Sequence, residues 1–276
     1  MMREAASRGH QTWAAQQKNI SFIENKVMVN ARQLSILDDR SAWYEVLESK
    51  ELAPAEIDGI IMRKDPPFDM EYIYSTYLLE SLEQDGCVVF NRPRSIRDFN
   101  EKLAITKYPE FIAPTVVTAD HTTIKQFIDK NNEIILKPLD GMGGSSIFRS
   151  RPDDPNLGVI IETLTDFGRR TIMVQKFIPQ IKDGDKRVLL IDGEAVPFSL
   201  ARIPQGSDHR GNLAAGGKGV AMPLTHRERE IAHAIGEDLS KKGLLLVGLD
   251  IIGDYLTEIN VCLLYTSPSP RCLLYT

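Results

Sequence analysis

The 276-residue sequence is poor in cysteine and tryptophan, with three and two respectively, and has no long apolar run. Each scarcity excludes something. Cys87, Cys262 and Cys272 show no CxxC or CxH spacing, which argues against a disulfide framework and a zinc site and suits a reducing cytoplasm. The most apolar stretch, residues 243–253, contains Asp250 and falls short of the ~20 residues that a bilayer-crossing helix needs. The first residues, MMREAASRGHQTWAAQQ, lack the apolar centre of a signal peptide. Cations are not in excess: Lys+Arg 33 against Asp+Glu 38 leaves a net charge of -5, no footprint for nucleic acid or an anionic membrane. The five histidines share no ligand-like spacing and build no Ser-His-Asp or Cys-His constellation. What is there, 42% hydrophobic and 26% charged residues with 19 Gly and 15 Pro, is the make-up of ordinary globular domains, one large or two.

The coarse pattern predicts a mixed α/β (α+β) chain. Residues 20–23 and 27–29 are β-rich runs around Glu24-Asn25-Lys26, a hairpin signal. Residues 58–62 read as a short buried strand running into the proline-broken RKDPPF loop, and Asp69 as the cap of a helix with Ile73, Tyr77, Leu78 and Leu82 at helical spacing. A strand at 88–90 and a helix capped by Ser95 follow. This alternation predicts an N-terminal α/β domain with a parallel sheet. From Thr115 onward strands dominate, with a hairpin at Asp192-Gly193. The expected division is residues 1–108 and 109–261.

Both ends are unusual. CLLYT at 262–266 recurs at 272–276 around SPSP, so residues 262–276 are expected to be a non-native tail. Residues 1–8 read as a helix ended by Gly9, with a short strand at 12–14 and no strand before the helix. The expectation is a chain lacking its first strand and its last segment, with impaired activity.

The most informative stretch is Lys137-Pro138-Leu139-Asp140-Gly141-Met142-Gly143-Gly144-Ser145-Ser146, a lysine ending a strand and then a glycine loop. It is neither a P-loop nor the dinucleotide fingerprint, because Ser146 stands where GxGxxG needs its last glycine, and Gly211 to Lys218 fails GxxxxGK[ST] through an extra glycine and Gly219. Without Cβ atoms, successive N–H groups of such a loop can converge on phosphate oxygens, and the lysine adds charge; a tight turn beside a solvated lysine is the competing reading. Asp250, Glu258 and Asn260 lie in VGLDIIGDYLTEIN, where oxygen ligands on adjacent strands suit Mg²⁺ completed by substrate phosphates. Glu258 and Asn260 share a strand face. A two-residue turn at Gly253-Asp254 would pair Asp250 with Thr257 and separate the carboxylates, whereas a three-residue loop would pair it with Glu258.

With these elements in hand, the chain resembles the bacterial glutathione synthetases, members of the ATP-grasp ligases. The resemblance rests on MRKDPPFD, NEKL (residues 100–103), ILKPLDGMGGSSIFR, DPNLGVI, IKDGDKRVL, LARIPQG, RGNLAAGGKG and VGLDIIGDYLTEIN. It implies an ATP-grasp fold behind an N-terminal substrate domain. It further implies that Lys102 and Lys137 hold the ATP phosphates beneath the loop Gly141 to Ser146, and that Gln175, Lys176, Phe177, Ile178 and Asp185 line the adenine and ribose pocket. Asp250, Glu258 and Asn260 match its Mg²⁺ (or Mn²⁺) ligands. Arg187, Arg202 and Arg210 match positions near the transferred phosphate and the peptide carboxylates, and residues 203–219 match a mobile loop. The implied reaction joins γ-glutamylcysteine to glycine with ATP through an acyl phosphate, in a cytoplasmic homo-oligomer. Rival readings are another ATP-grasp carboxylate–amine ligase, an ATP-binding fragment without turnover, and a phosphotransferase. The resemblance departs after Asn260, where Val-Thr-Ser-Pro and a helix are expected.

Overall fold

The computed structural model describes residues 1–39, 41–64, 67–141, 143–205 and 216–262. The chain opens with α1 (Met2–Ser7) and β1 (Thr12–Ala14). The expected hairpin follows: β2 (Ile20–Ile23) pairs with β3 (Lys26–Ile36), Ile23 facing Lys26 across a two-residue turn. Glu24 and Asn25 take φ of 47° and 68°, the left-handed pair whose twist matches a tight hairpin. β3 continues past Val29 and pairs with β4 (Tyr44–Leu52), completing a four-stranded antiparallel sheet. Val27, Val29, Ala31 and Leu34 face the core, whereas β4 is exposed along nearly its whole length, so its ladder with β3 rather than burial makes it a strand.

The parallel pairing expected from the alternation is present in β5 (Gly59–Ile61) and β6 (Val88–Phe90), joined by α2 (Met70–Gln84). The sheet before it is antiparallel, its strands joined by short connections rather than by helical crossovers. Asp69 caps α2 as expected, its carboxylate accepting from Tyr72 N at 2.9 Å. Ser95 does not cap α3 (Pro93–Asp98); Arg92 is the cap, Pro93 opens the helix, and Ser95 Oγ donates to the Lys242 carbonyl at 2.5 Å. Proline fits the first helical turn because its missing N–H would be unpaired there anyway.

Two antiparallel sheets form the second half. β7 (Thr115–Thr118), β8 (Ile134–Pro138), β9 (Phe148–Ser150) and β10 (Ile172–Lys176) lie in the order β7-β10-β8-β9. With α4 (His121–Asn131) and α5 (Leu157–Thr165) they enclose a core of Ile124, Ile128, Ile134, Leu136, Ile161, Ile172 and Val174. β11 (Asp185–Ile191), β12 (Glu194–Ile203), β13 (Lys218–Pro223), β14 (Leu246–Ile252) and β15 (Tyr255–Asn260) form the larger sheet, order β13-β12-β11-β14-β15, backed by α6 (His226–Lys241). This sheet shares its hydrophobic cluster with α2, β6 and α3.

A buried amide ties the halves together. Asn91 Nδ2 donates to the carbonyls of Leu246 at 2.8 Å and Val261 at 2.6 Å, and its Oδ1 accepts from Leu246 N at 2.8 Å. These are the open ends of β14 and β15, so one side chain from the N-terminal half fixes the hairpin that carries Asp250, Glu258 and Asn260. All three polar groups of the amide are satisfied, as a buried polar group requires.

α6 lies against the β11–β12 turn at a pair of glycines. A Cβ on Gly236 would sit 2.1 Å from the Gly193 carbonyl oxygen, and Gly193 itself has φ +83°. Gly236→Ala is expected to destabilise the chain by about 2–4 kcal/mol through overpacking against backbone that cannot yield. A denaturant midpoint that leaves the variant level with the parent would contradict this contact.

Candidate active site

The two register alternatives for the β14–β15 hairpin resolve into a third arrangement. Ile252 pairs with Tyr255 across the two-residue turn Gly253-Asp254 and Ile251 with Leu256, yet Asp250 pairs with Glu258. Thr257 is the extra residue, a β-bulge that restores the register the carboxylates need without an odd loop. Its hydroxyl donates to the Asp250 carbonyl at 3.0 Å. Its own carbonyl accepts from Lys137 Nζ at 3.4 Å, so the bulge also receives the lysine from the facing sheet.

Lys102 and Lys137 are both buried, at 3% and 5% exposure. Lys102 Nζ donates to the Gly141 carbonyl at 2.6 Å and lies 3.7 Å from Glu258 Oε1. The glycine loop thus begins directly beside the Lys102 amine. Gly143 and Gly144 take φ of +64° and +80°, a left-handed run that a Cβ would strain; Ser145 and Ser146 follow them, exposed, and Met142 is outside the described residues. Burial pushes the Lys137 amine down to about 8, an effect that Glu258 partly offsets and Lys102 reinforces. Two desolvated cations this close together suit a polyanion.

Behind them is a compact charge cluster. Arg187 Nε and a terminal nitrogen donate to Asp250 Oδ1 and Oδ2, each at 2.6 Å, a bidentate fork. Arg202 bonds Asp250 Oδ2 at 2.8 Å and Asp185 Oδ2 at 2.5 Å. Burial alone would raise the Asp250 carboxyl, but the two guanidiniums hold it well below the usual carboxylate range and it stays charged. Asp185 is pushed up to about 6 by burial, against the pull of Arg202. Among the described residues its buried Oδ1 has no hydrogen-bond partner. Arg187 and Arg202 therefore meet Asp250, the expected metal ligand, while Arg210 lies outside the described residues.

The donor chemistry fits a hard divalent cation at Glu258 and Asn260. Asn260 Nδ2 is spent on the Gly248 carbonyl at 3.3 Å, which fixes the amide and leaves Oδ1 as the oxygen to present. Glu258 retains 22% side-chain exposure. Among the described residues, Asp250 Oδ1 accepts from Arg187 Nε, and Oδ2 from Arg187 and Arg202. Among the described residues, no group of three or more His, Cys, Asp or Glu side chains could hold a metal by itself.

At the other end of β10, Gln175 Nε2 donates to Thr115 Oγ1 at 3.0 Å. The backbone N–H groups of Lys176 and Phe177 are taken by the carbonyls of Pro114 and Glu133, each at 2.9 Å. Ile178 follows them and is buried. Arg149 covers the Phe177 ring at 3.8 Å and also pairs with Glu133.

One residue escaped the sequence reading. Glu101 is carried up to about 7 by burial and by Glu258, against the pull of Lys102 and Arg187, and its carbonyl accepts from Ile259 N at 2.8 Å. In the sequence a glutamate beside a lysine reads as solvated surface; its place inside NEKL was the available signal.

Residues 101–273 match the family model for the prokaryotic glutathione synthetase ATP-grasp domain, and residues 1–97 that for the prokaryotic glutathione synthetase N-terminal domain. The chain is 54% identical over 272 residues to the glutathione synthetase of Nitrosomonas europaea, covering 98% of this chain and 84% of that protein. It is 50% identical over 273 residues to that of Shewanella oneidensis, covering 99% and 85%. Among solved structures it superposes on the ATP-grasp ligase PsnB with its minimal precursor, TM-score 0.62 at 16% identity over 96% of this chain and 86% of that one. D-cycloserine synthetase DcsG gives a TM-score of 0.60 at 14% identity, covering 82% and 81%. These structural likenesses share the fold.

Two outcomes follow. Arg187→Met leaves Asp250 buried with a single guanidinium and is expected to cost about 3–5 kcal/mol, read from denaturant unfolding. A polyanion restores the Lys137 charge, so binding above about pH 8 is expected to take up a proton and to weaken as pH rises from about 8 toward 10.5. Calorimetry in buffers of differing ionisation heat reads this uptake directly, and a pH-independent affinity across that window would contradict it.

Proposed function

The chain belongs to the prokaryotic glutathione synthetase family, and from that premise we propose how its residues divide the work. It is an ATP-dependent ligase that forms a C–N bond and makes glutathione, acting on small-molecule substrates. We assign γ-glutamylcysteine as the carboxylate substrate and glycine as the amine. Lys102 and Lys137 hold the triphosphate, with the glycine loop Gly141 to Ser146 above it. The Ile178 N–H meets the adenine edge, Gln175 and Phe177 flank it, and the unpartnered Asp185 Oδ1 accepts from a ribose hydroxyl. Glu258 and Asn260, backed by Asp250, would hold Mg²⁺ or Mn²⁺, which when bound neutralises charge on the phosphates.

The cysteinyl carboxylate oxygen attacks the γ-phosphorus and ADP leaves, giving an acyl phosphate. Glycine's neutral amine then attacks the acyl carbon, phosphate departs with the C–O electron pair, and the amine loses a proton. No enzyme nucleophile is needed, so positioning and charge stabilisation are the chain's contribution. Arg187 and Arg202 act in this scheme by orienting Asp250; Arg210 is assigned to the anionic substrate groups. The proposal includes a cytoplasmic homo-oligomer, supported by the low cysteine content and the family resemblance.

The carrying observation is the convergence of both buried lysines on the Thr257 bulge, Lys137 on the Thr257 carbonyl and Lys102 beside Glu258. Supplied with ATP, magnesium, γ-glutamylcysteine and glycine, the chain is expected to release ADP, phosphate and glutathione in equal amounts. Omitting glycine and adding hydroxylamine should trap a hydroxamate. Glu258→Gln is expected to lower kcat by about 10²-fold or more, in line with the loss of one transition-state charge contact. Retention of full turnover by that variant would sink the assignment.

A further inference from the structure

The Asn100-Glu101-Lys102-Leu103 segment holds a side chain that the reaction so far leaves unused. Asn100 Oδ1 accepts from the N–H groups of Lys102 at 3.2 Å and Leu103 at 3.0 Å. Its Nδ2 donates to the Leu139 carbonyl at 3.0 Å. Leu139 is two residues after Lys137 and two before Gly141, whose carbonyl receives the Lys102 amine. One planar amide therefore spans from the backbone of one phosphate lysine to the strand end of the other.

We propose that Asn100 is a positioning residue for the triphosphate grip: it sets the separation of Lys102 from Lys137 and seats the first residues of the glycine loop. The inference rests on the reading of those lysines as phosphate ligands. The orientation of the amide is fixed by its partners, since two N–H donors demand the oxygen on one side and a carbonyl demands the nitrogen on the other. Aspartate could serve the first side alone and would set a carboxylate against the Leu139 carbonyl. Serine offers both functions but is too short to span the gap. A grip built from groups in separate segments works only if their spacing survives in the absence of ligand, because small displacements of charged contacts cost large factors in rate.

Asn100→Asp separates this role from simple capping, because it keeps the acceptor for Lys102 and Leu103 and removes only the donor. In the full chain, the dissociation constant for a non-hydrolysable ATP analogue with magnesium is expected to rise about tenfold to a hundredfold. The KM values for the peptide and for glycine should stay at the parent's, and the nucleotide defect should persist at temperatures well below the variant's thermal midpoint. Asn100→Ala should show the same nucleotide defect together with a lowered midpoint. The proposal is overturned if Asn100→Asp binds the analogue as the parent does, or if its defect vanishes on cooling in step with regained stability. The underlying reading is tested separately by Lys137→Ala: unchanged analogue affinity there refutes the phosphate site itself. A loss in Lys137→Ala with none in Asn100→Asp refutes the role of Asn100 alone.

Discussion

The site depends on one extra residue in one strand. Thr257 is bulged out of the β14–β15 ladder, and without it a two-residue turn would set Asp250 and Glu258 on opposite faces of the sheet. The bulge turns the Thr257 carbonyl toward Lys137 and uses the threonine hydroxyl to close the gap in its own ladder. Sheet register, carboxylate placement and lysine docking are thus one constraint. It is held at the closed end by Gly253-Asp254 and at the open end by Asn91.

The charges around this constraint fall into two classes. Asp185, Asp250, Arg187 and Arg202 compensate one another, two carboxylates against two guanidiniums, and the bidentate fork to Asp250 makes that half rigid. Lys102 and Lys137 share Glu258 and two backbone carbonyls, and Lys137 is desolvated enough to lose part of its affinity for its proton. The first class is settled before any ligand arrives. The second is left under-compensated and facing the glycine loop, so a polyanion gains most where the chain has already spent desolvation.

The legible parts of the sequence were those whose chemistry is local. Lys137 at a strand end before glycines, and Glu258 with Asn260 on one strand face, needed only period and residue type. The Asp250 register was legible as a choice but not as an answer, because a bulge leaves no mark that a turn motif would show. β4 was missed because YEVLESKEL buries almost nothing; its strand character comes from its ladder with β3, pairing from Ile36–Tyr44 out to Val29–Leu52. Arg187 and Arg202 read as substrate contacts, and their partnership with Asp250 needs the β11–β14 pairing to be known first. Glu101 was invisible because its environment is assembled from β15, β11 and its own segment.

The Asn91 tie has a consequence for the order in which the chain matures. Its partners are 155 and 170 residues further along, so during synthesis the N-terminal half is exposed long before the strands that satisfy this amide exist. Docking of the two halves must wait for the final hairpin, and closing so large a loop makes it a late, entropically demanding event. Until then the faces of α2, α3 and β6 that share the larger sheet's core remain open to solvent, exposed to non-native association.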